Sequence, residues 1–415
     1  DRTSLLFSFL ACNCLTNWCF VGAARLPYRP AVRAASLGSS GLANRGEDSS
    51  SMKRRDFLAG AAAAAGVAAC GKPAEEGTAG PAPAAQTFEW KMVTTWPPKF
   101  PGLGTGAENL AQRIETASGG RIKIQLYSAG ELVPAFECFD SVSVGTADMG
   151  HGAAYYWKGK IEAAQFFAAT PFGMNAQERD GWMYYGGGNE LWREAYEPFN
   201  VIPAAAGNSG IQMGGWFNKE INSLADLEGL KMRIPGLGGE VLRRAGGTPV
   251  NTPGGEIFTA LQTGAIDATE WVGPYNDLAI GLHQVAQYYY YPGWHEPGTC
   301  LEAIFNKDSF EALPEDLQAL VMIACQSVNN DMLAEYTANN QGSLDTLVNT
   351  HDVELREFPP DVLRRLRALT VEAIDELAAN DDLVRRVWES QKSFGATAAR
   401  WSDVSERAYF RARSV

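Results

Sequence analysis

The sequence predicts an α/β protein built from two similar lobes, joined by strands that cross between them and followed by C-terminal helices. Three observations carry this expectation. Strand-like and helix-like patterns alternate from Phe88 onward. One strand-helix unit occurs twice. A second, shorter pattern also occurs twice, at the places where the chain would pass from one lobe to the other.

The alternation comes first. "FEWKMVTTWP" reads as a strand that stops at Trp96-Pro97, and "GAENLAQRIETASGG" as an amphipathic helix with a glycine stop. "RIKIQLYSAGEL" is a second strand, and "AFECFDSVSVGTADMGHGAAYYW" a helix leading into a buried strand. Strands separated by helices predict a parallel sheet. The repeat follows: "ECFDSVSVGTADMGHG" (Glu137–Gly152) superposes on "EIFTALQTGAIDATEW" (Glu256–Trp271), sharing Glu-x-Phe, five residues and Gly-x-x-Asp. Each copy describes a helix ended by a glycine cap and a tight acidic turn into the next strand. Two copies imply two similar lobes.

The second echo is "GGWFNKEINSLADLEG" against "EAIFNKDSFEALPEDLQ", a Phe-Asn-Lys strand followed by a helix. Strands crossing between lobes would make hinges near residues 210 and 298. Lobe I then takes 88–210 plus 298–340, and lobe II takes 211–297 plus 341–360. Two lobes on hinges form a trap for a ligand. Residues 361–415 form a helical tail. After Pro359-Pro360 a stripe of Leu363, Leu366, Leu369, Ala373, Ile374 and Leu377 predicts a helix. Trp388, Phe394, Trp401, Tyr409 and Phe410 continue its apolar character. Such a tail either folds back on its own lobes or packs on a second subunit as an exchanged helix.

The N-terminal segment stands apart. Met52 opens "MKRRDFLAGAAAAAGVAACG", with twin arginines Arg54 and Arg55, an Ala-rich run and a small-residue site. Residues 52–87 are read as a twin-arginine export signal and linker, and residues 1–51 as a non-native upstream segment or an organelle-targeting extension. "VAAC" at Val67–Cys70 is either a lipobox, with Cys70 as a lipid anchor, or a plain cleavage site.

Composition narrows the function. The chain has 415 residues, 46% apolar, with a formal net charge of −13. That length allows two domains. That charge argues against nucleic acid, which calls for a basic stripe, but not against a small anion, which answers to a local field. No run is long enough to span a bilayer. Cys138, Cys300 and Cys325 are scattered through the body and are read as small buried hydrophobes. No G-x-S-x-G, H-E-x-x-H or P-loop occurs.

Arg233, in "LKMRIPG", falls at a strand end just before Pro235-Gly236. Ligands of open α/β sheets bind outside the carboxyl ends of strands, and a guanidinium there suits a carboxylate. A surface salt bridge is the alternative. Glu270, in "GAIDATEW", would repel the same anion unless a cation lay between them. Na⁺ or Ca²⁺ takes carboxylate, amide and carbonyl oxygens. Gln212 offers the amide oxygen, and Trp271 a carbonyl and an apolar wall. Trp96 ("TTWPP"), Tyr155 and Tyr156 ("AAYYW") and Trp294 ("YYYYPGW") are candidates for the cleft wall. In "GWHEPGTCLE" the spacing of His295, Glu296 and Cys300 fits no zinc pattern, so His295 and Glu296 are assigned to the wall as well.

Taken together, the signal, the two-lobed body, "GIQMGGWFNKEI", "LKMRIPG", "ALQTGAIDATEW" and "YYYYPGWHEPG" resemble the extracytoplasmic solute-binding proteins of TRAP transporters, over nearly everything after Phe88. They are most similar to the branch that binds pyruvate and other 2-oxo acids with a cation. The resemblance implies a two-lobed, type II-like periplasmic-binding-protein fold, a periplasmic location, a membrane permease as partner and a helix-swapped homodimer. It implies a carboxylate clamp at Arg233, and a cation and ligand site at Gln212, Glu270 and Trp271. A calcium-dependent receptor for lactate, a 2-hydroxy acid, is the competitor within the family. A periplasmic enzyme acting on 2-oxo acids is the competitor outside it, and would need a general acid-base pair near the ligand.

Overall fold

The structure, a computed structural model, describes residues 86–415, which belong to one compact unit. The expected upstream segment, the twin-arginine signal and Cys70 lie outside the described residues.

Eleven strands are described: β1 Phe88–Thr94, β2 Ile122–Tyr127, β3 Met149–Gly152, β4 Val201–Asn208, β5 Gly215–Phe217, β6 Lys231–Arg233, β7 Thr248–Val250, β8 Ala268–Thr269, β9 Tyr288–Tyr291, β10 Cys300–Asn306 and β11 Glu354–Glu357. They form two sheets, in the orders β2-β1-β3-β10-β4 and β11-β9-β5-β8-β6-β7. The sheets are mixed, where the sequence led us to expect parallel ones. β1 pairs in parallel with β2 and β3, and β6 with β7 and β8. β10 is antiparallel to β3 and β4, and β5 is antiparallel to β8 and β9. The reason is connectivity. β5 and β10 each arrive from the other sheet, so no helical crossover forces them parallel.

The repeat is one physical device used twice. The helices Cys138–Ser143 and Ile257–Gln262 run into Gly145 and Gly264, at φ 75° and 71°. Only glycine takes that left-handed conformation freely. The acidic turn then ties the sheet together. Asp148 accepts from the Lys91 amide through its carboxylate at 2.8 Å and returns its own N–H to the Lys91 carbonyl at 3.0 Å. Asp267 does the same with Lys231, at 3.0 and 2.7 Å. The Phe-Asn-Lys echo completes both copies, because Asn306 donates its backbone N–H to the Asp148 carbonyl and Asn218 donates its own to that of Asp267.

The helix Leu103–Ala117 buries Leu103, Ala107, Leu110, Ala111 and Ile114, a stripe at helical spacing, and ends at Gly119 and Gly120, both at positive φ. Burying a leucine or isoleucine such as Leu110 or Ile114 contributes roughly 1.5–3 kcal/mol. The helix Glu315–Thr350 packs on β4 and on the helices Leu103–Ala117 and Pro274–Ile280. Cys138, Cys300 and Cys325 are free and buried, as expected. Burial pushes the thiols of Cys138 and Cys325 up to about 12.

The tail folds back over much of its length. The helix Pro360–Asn380 packs on the helix Gly236–Arg244, with Arg244 and Glu376 paired at 2.6 Å. The helix Asp382–Val404 packs on Ala176–Tyr185 and Gly188–Tyr196, and Gln391 donates to the buried Phe166 carbonyl at 2.8 Å. Trp401, Val404, Tyr409 and Phe410 remain exposed. No helix among the described residues is long and apolar enough to cross a membrane.

Candidate functional site

The chain passes between the sheets through residues 209–214, from β4 to β5, and through 292–299, from β9 to β10. The two crossings run side by side. Ser209 donates its amide to the Thr299 carbonyl at 3.1 Å, Gln212 to Glu296 at 3.1 Å, and Gly293 to Gln212 at 3.0 Å. A Cβ at Gly293 would lie 2.1 Å from the Gln212 carbonyl oxygen, so only glycine allows that approach. Gln212, His295 and Glu296 thereby meet at the crossings.

Arg233 and Glu270 reach the same region from the second sheet. Arg233 ends β6, and Glu270 directly follows β8, its parallel neighbour. Both therefore stand at strand carboxyl ends, as the sequence suggested for Arg233. Arg233 is 1% exposed and Glu270 0%, so Arg233 is not a surface salt bridge. The guanidinium pairs with the Glu270 carboxylate through Nη1, donates Nε–H to the Thr252 carbonyl at 3.1 Å and reaches the Tyr156 hydroxyl through Nη2 at 3.3 Å. Burial, the largest single influence, would favour a neutral guanidine, but the Glu270 carboxylate together with Tyr156, Tyr155 and Glu296 outweighs it and raises the Arg233 pKa. Trp271 lies against the guanidinium, whose central carbon is 5.1 Å from the ring centre.

The wall residues divide. Trp96 meets Trp271 edge to face at 6.5 Å and lies 6.3 Å from Tyr156. Tyr155 packs edge-on to Tyr156 at 4.8 Å, and burial pushes the Tyr156 phenol up to about 12. Trp294 stacks on Phe172 at 5.8 Å in the core beside the second sheet and also meets the His295 ring edge to face at 5.5 Å. His295 and Glu296 are more than wall. With Glu270 they are the one group of three or more His, Cys, Asp or Glu among the described residues whose ligand atoms all lie within 4.8 Å of one another. His295 Nε2 faces Glu270 Oε2 at 3.3 Å. Burial, and then the Glu270 charge, lift the Glu296 carboxyl well above the usual carboxylate range.

Three residues went unnoticed in the sequence. Ser209 and Thr299 contact the Gln212 side chain, at 3.1 and 3.2 Å. His151 accepts from the Trp96 indole at Nδ1, at 2.7 Å, and donates to the Ala206 carbonyl from Nε2, at 3.0 Å. It is therefore neutral, and burial lowers its pKa to about 4. Ser209 and Thr299 flank the motifs that carry Gln212 and Glu296, a signal available in "NSGIQ" and "HEPGT".

The donor set suits a hard cation. The Gln212 Oε1 oxygen is buried and has no partner, and the Gln212 amide nitrogen bonds Glu296, which clusters with the Glu270 carboxylate and His295. Amide and carboxylate oxygens are what Na⁺ or Ca²⁺ takes. His295 directs Nε2 at Glu270, so that nitrogen is engaged as a donor.

Residues 92–381 match the family described as bacterial extracellular solute-binding protein, family 7. The "Monocarboxylate 2-oxoacid-binding periplasmic protein all3028" of Nostoc sp. (strain PCC 7120) is 41% identical over 358 residues, covering 86% of this chain and 98% of that protein. A TRAP periplasmic solute-binding protein from Pseudoalteromonas atlantica T6c, solved with bound sodium and pyruvate, is 41% identical with a TM-score of 0.77, over 79% of this chain and 99% of the other. One from Bordetella bronchiseptica RB50, described as a mixed occupancy dimer with calcium and picolinate in one site, is 36% identical with a TM-score of 0.78, over 79% and 97%. The chain therefore belongs to the DctP family of bacterial extracellular solute-binding proteins, the substrate receptors of TRAP transporters.

Proposed function

We propose that this chain captures a small 2-oxo monocarboxylate such as pyruvate together with Na⁺ or Ca²⁺, and delivers it in the periplasm to a TRAP permease. The observation that carries the reading is the buried Arg233 and Glu270 at neighbouring strand ends, together with the unpartnered Gln212 Oε1, whose amide nitrogen bonds Glu296 of the Glu270 cluster. In this reading Arg233 takes the carboxylate. Gln212, Glu270 and the Trp271 carbonyl hold the cation, which meets the 2-oxo oxygen. Trp96, Trp271, Tyr155 and Tyr156 close the wall.

Charge supports the pairing. Arg233 and Glu270 cancel, so an acid anion arriving alone would leave one net buried charge, which is costly. An accompanying cation offsets that negative charge. The Nostoc relative and the pyruvate-bound neighbour favour a 2-oxo acid over lactate. A thermal-shift panel of pyruvate, longer 2-oxo acids, lactate and C4-dicarboxylates, each with and without Na⁺ and Ca²⁺, tests this. Ligand at 100 times its dissociation constant adds about 2.7 kcal/mol of stability. A larger shift for lactate than for pyruvate would reverse the assignment.

The approach of His295 to Glu270 supplies an acid-base pair that the motifs did not reveal, and so favours one specific alternative, an enzyme on 2-oxo acids. Prolonged incubation decides it, because a receptor returns pyruvate unchanged. The remaining parts of the reading are a hinge at each crossing, export by the twin-arginine route, and a homodimer made through the exposed end of the tail.

A further inference from the structure

We propose that Glu296 is a positioning residue. It pins the Gln212 side-chain amide so that oxygen, not nitrogen, is presented to the cation. The inference rests on the cation-dependent reading above.

A glutamine amide has nearly the same shape either way round, so only its neighbours decide which end faces which way. Gln212 Nε2 lies 2.8 Å from Glu296 Oε2, 3.1 Å from Ser209 Oγ and 3.2 Å from Thr299 Oγ1. Each of those atoms offers a lone pair there. The Ser209 hydroxyl spends its proton on the Gly210 carbonyl, and the Thr299 hydroxyl spends its proton on Glu296 Oε2. A flipped amide would set its oxygen against all three acceptors. The observed orientation leaves Oε1 buried without a partner. Buried polar atoms are rarely left so, and a hard cation is the partner an amide oxygen accepts beside a carboxylate. Of the three contacts, the one to Glu296 is the shortest, at 2.8 Å against 3.1 and 3.2 Å, and the only one to a carboxyl group, whose oxygen accepts the amide proton. The backbone holds the pair in register, since Gln212 N–H donates to the Glu296 carbonyl at 3.1 Å. Gln212 and Glu296 lie on different crossings, so the pinned amide also joins the two connections.

The test is calorimetric titration of Ca²⁺, and separately Na⁺, into the mature protein with pyruvate present. Glu296→Ala should weaken cation binding about tenfold, the loss of one hydrogen bond. Glu296→Gln, which keeps an oxygen for Gln212 and Thr299, should stay within about threefold. Gln212→Glu carries oxygen at both ends, so adding Glu296→Ala to it should cost no further cation affinity. A role confined to folding would weaken both backgrounds alike. If Glu296→Ala does not fold, Thr299→Val should give a smaller loss in the same direction. The proposal is overturned if Glu296→Gln loses as much as Glu296→Ala, which would make Glu296 a cation ligand by its charge. It is also overturned if Glu296→Ala leaves cation affinity intact, or weakens the Gln212→Glu protein equally. Those outcomes leave the cation reading standing. Pyruvate binding by the wild-type protein that ignores Na⁺ and Ca²⁺ would remove both.

Discussion

Arg233→Met is the sharpest perturbation of the site. Methionine roughly fills the arginine stem but removes the charge and every donor. In the wild-type protein the guanidinium is the strong partner of Glu270, whose other contact is His295 Nε2 at 3.3 Å. Removing it strands a fully buried carboxylate. Breaking such a pair costs about 3–5 kcal/mol, so the unliganded protein should lose that much in urea unfolding followed by tryptophan fluorescence. The double variant Arg233→Met/Glu270→Gln removes the stranded charge as well and should recover most of the loss. Pyruvate binding should behave differently. Both variants lack the carboxylate clamp, so calorimetry should show each binding pyruvate at least a hundredfold more weakly, as expected for losing about 3 kcal/mol or more. Recovery of stability without recovery of binding separates the two roles of Arg233. Near-wild-type affinity in Arg233→Met would refute the clamp, and an Arg233→Met protein as stable as wild type would refute the buried pairing.

Three other predictions follow from particular residues. Glu270→Gln should abolish most of the cation dependence of pyruvate binding, and wild-type protein freed of Na⁺ and Ca²⁺ should bind poorly; calorimetry in a potassium buffer checks both, and undiminished wild-type binding there would count against the cation. His151 bears on acid stability. Its folded pKa is lowered from 6.5 to about 4, so below pH 6.5 the unfolded chain takes a proton that the folded one refuses. That stability is present above pH 6.5 and is lost as pH falls, by roughly 2 kcal/mol at pH 5. Glu302 and Asp277, raised to about 7 by burial, act in the opposite sense. They are common to both proteins compared, so the urea stability advantage of wild type over His151→Gln should shrink by about 2 kcal/mol between pH 7 and pH 5; an unchanged difference would show that His151 does not titrate there. Finally, Trp401, Tyr409 and Phe410 are exposed at the tail end. Replacing all three with serine should yield a monomer by light scattering that still binds pyruvate, and a dimer as tight as wild type would move the interface elsewhere.

Much of the architecture was legible because it is written in short-range spacing. Gly145 and Gly264 mark helix ends wherever they occur, and Asp148 and Asp267, three residues later, need only the adjacent strand to bond. The repeat therefore announced two similar lobes, while the strand order they share is a finding of the structure. Arg233 and Glu270 were readable for a similar reason, since each stands at a strand end set by its own local pattern. The sense of β5 and β10 was not readable, because it depends on which sheet each strand enters and from where. The partnership of Gln212 with Glu296 spans 84 residues and exists only because the two crossings run in register. Local pattern likewise could not say that Trp294 would stack on Phe172, nor that most of the tail would pack on its own chain. The sequence by itself determined the elements, their duplication and the chemical character of the site. Only the tertiary structure decided strand direction, the His295–Glu270–Glu296 cluster and the orientation of one amide, because those follow from contacts between segments far apart in the chain, where no local period operates.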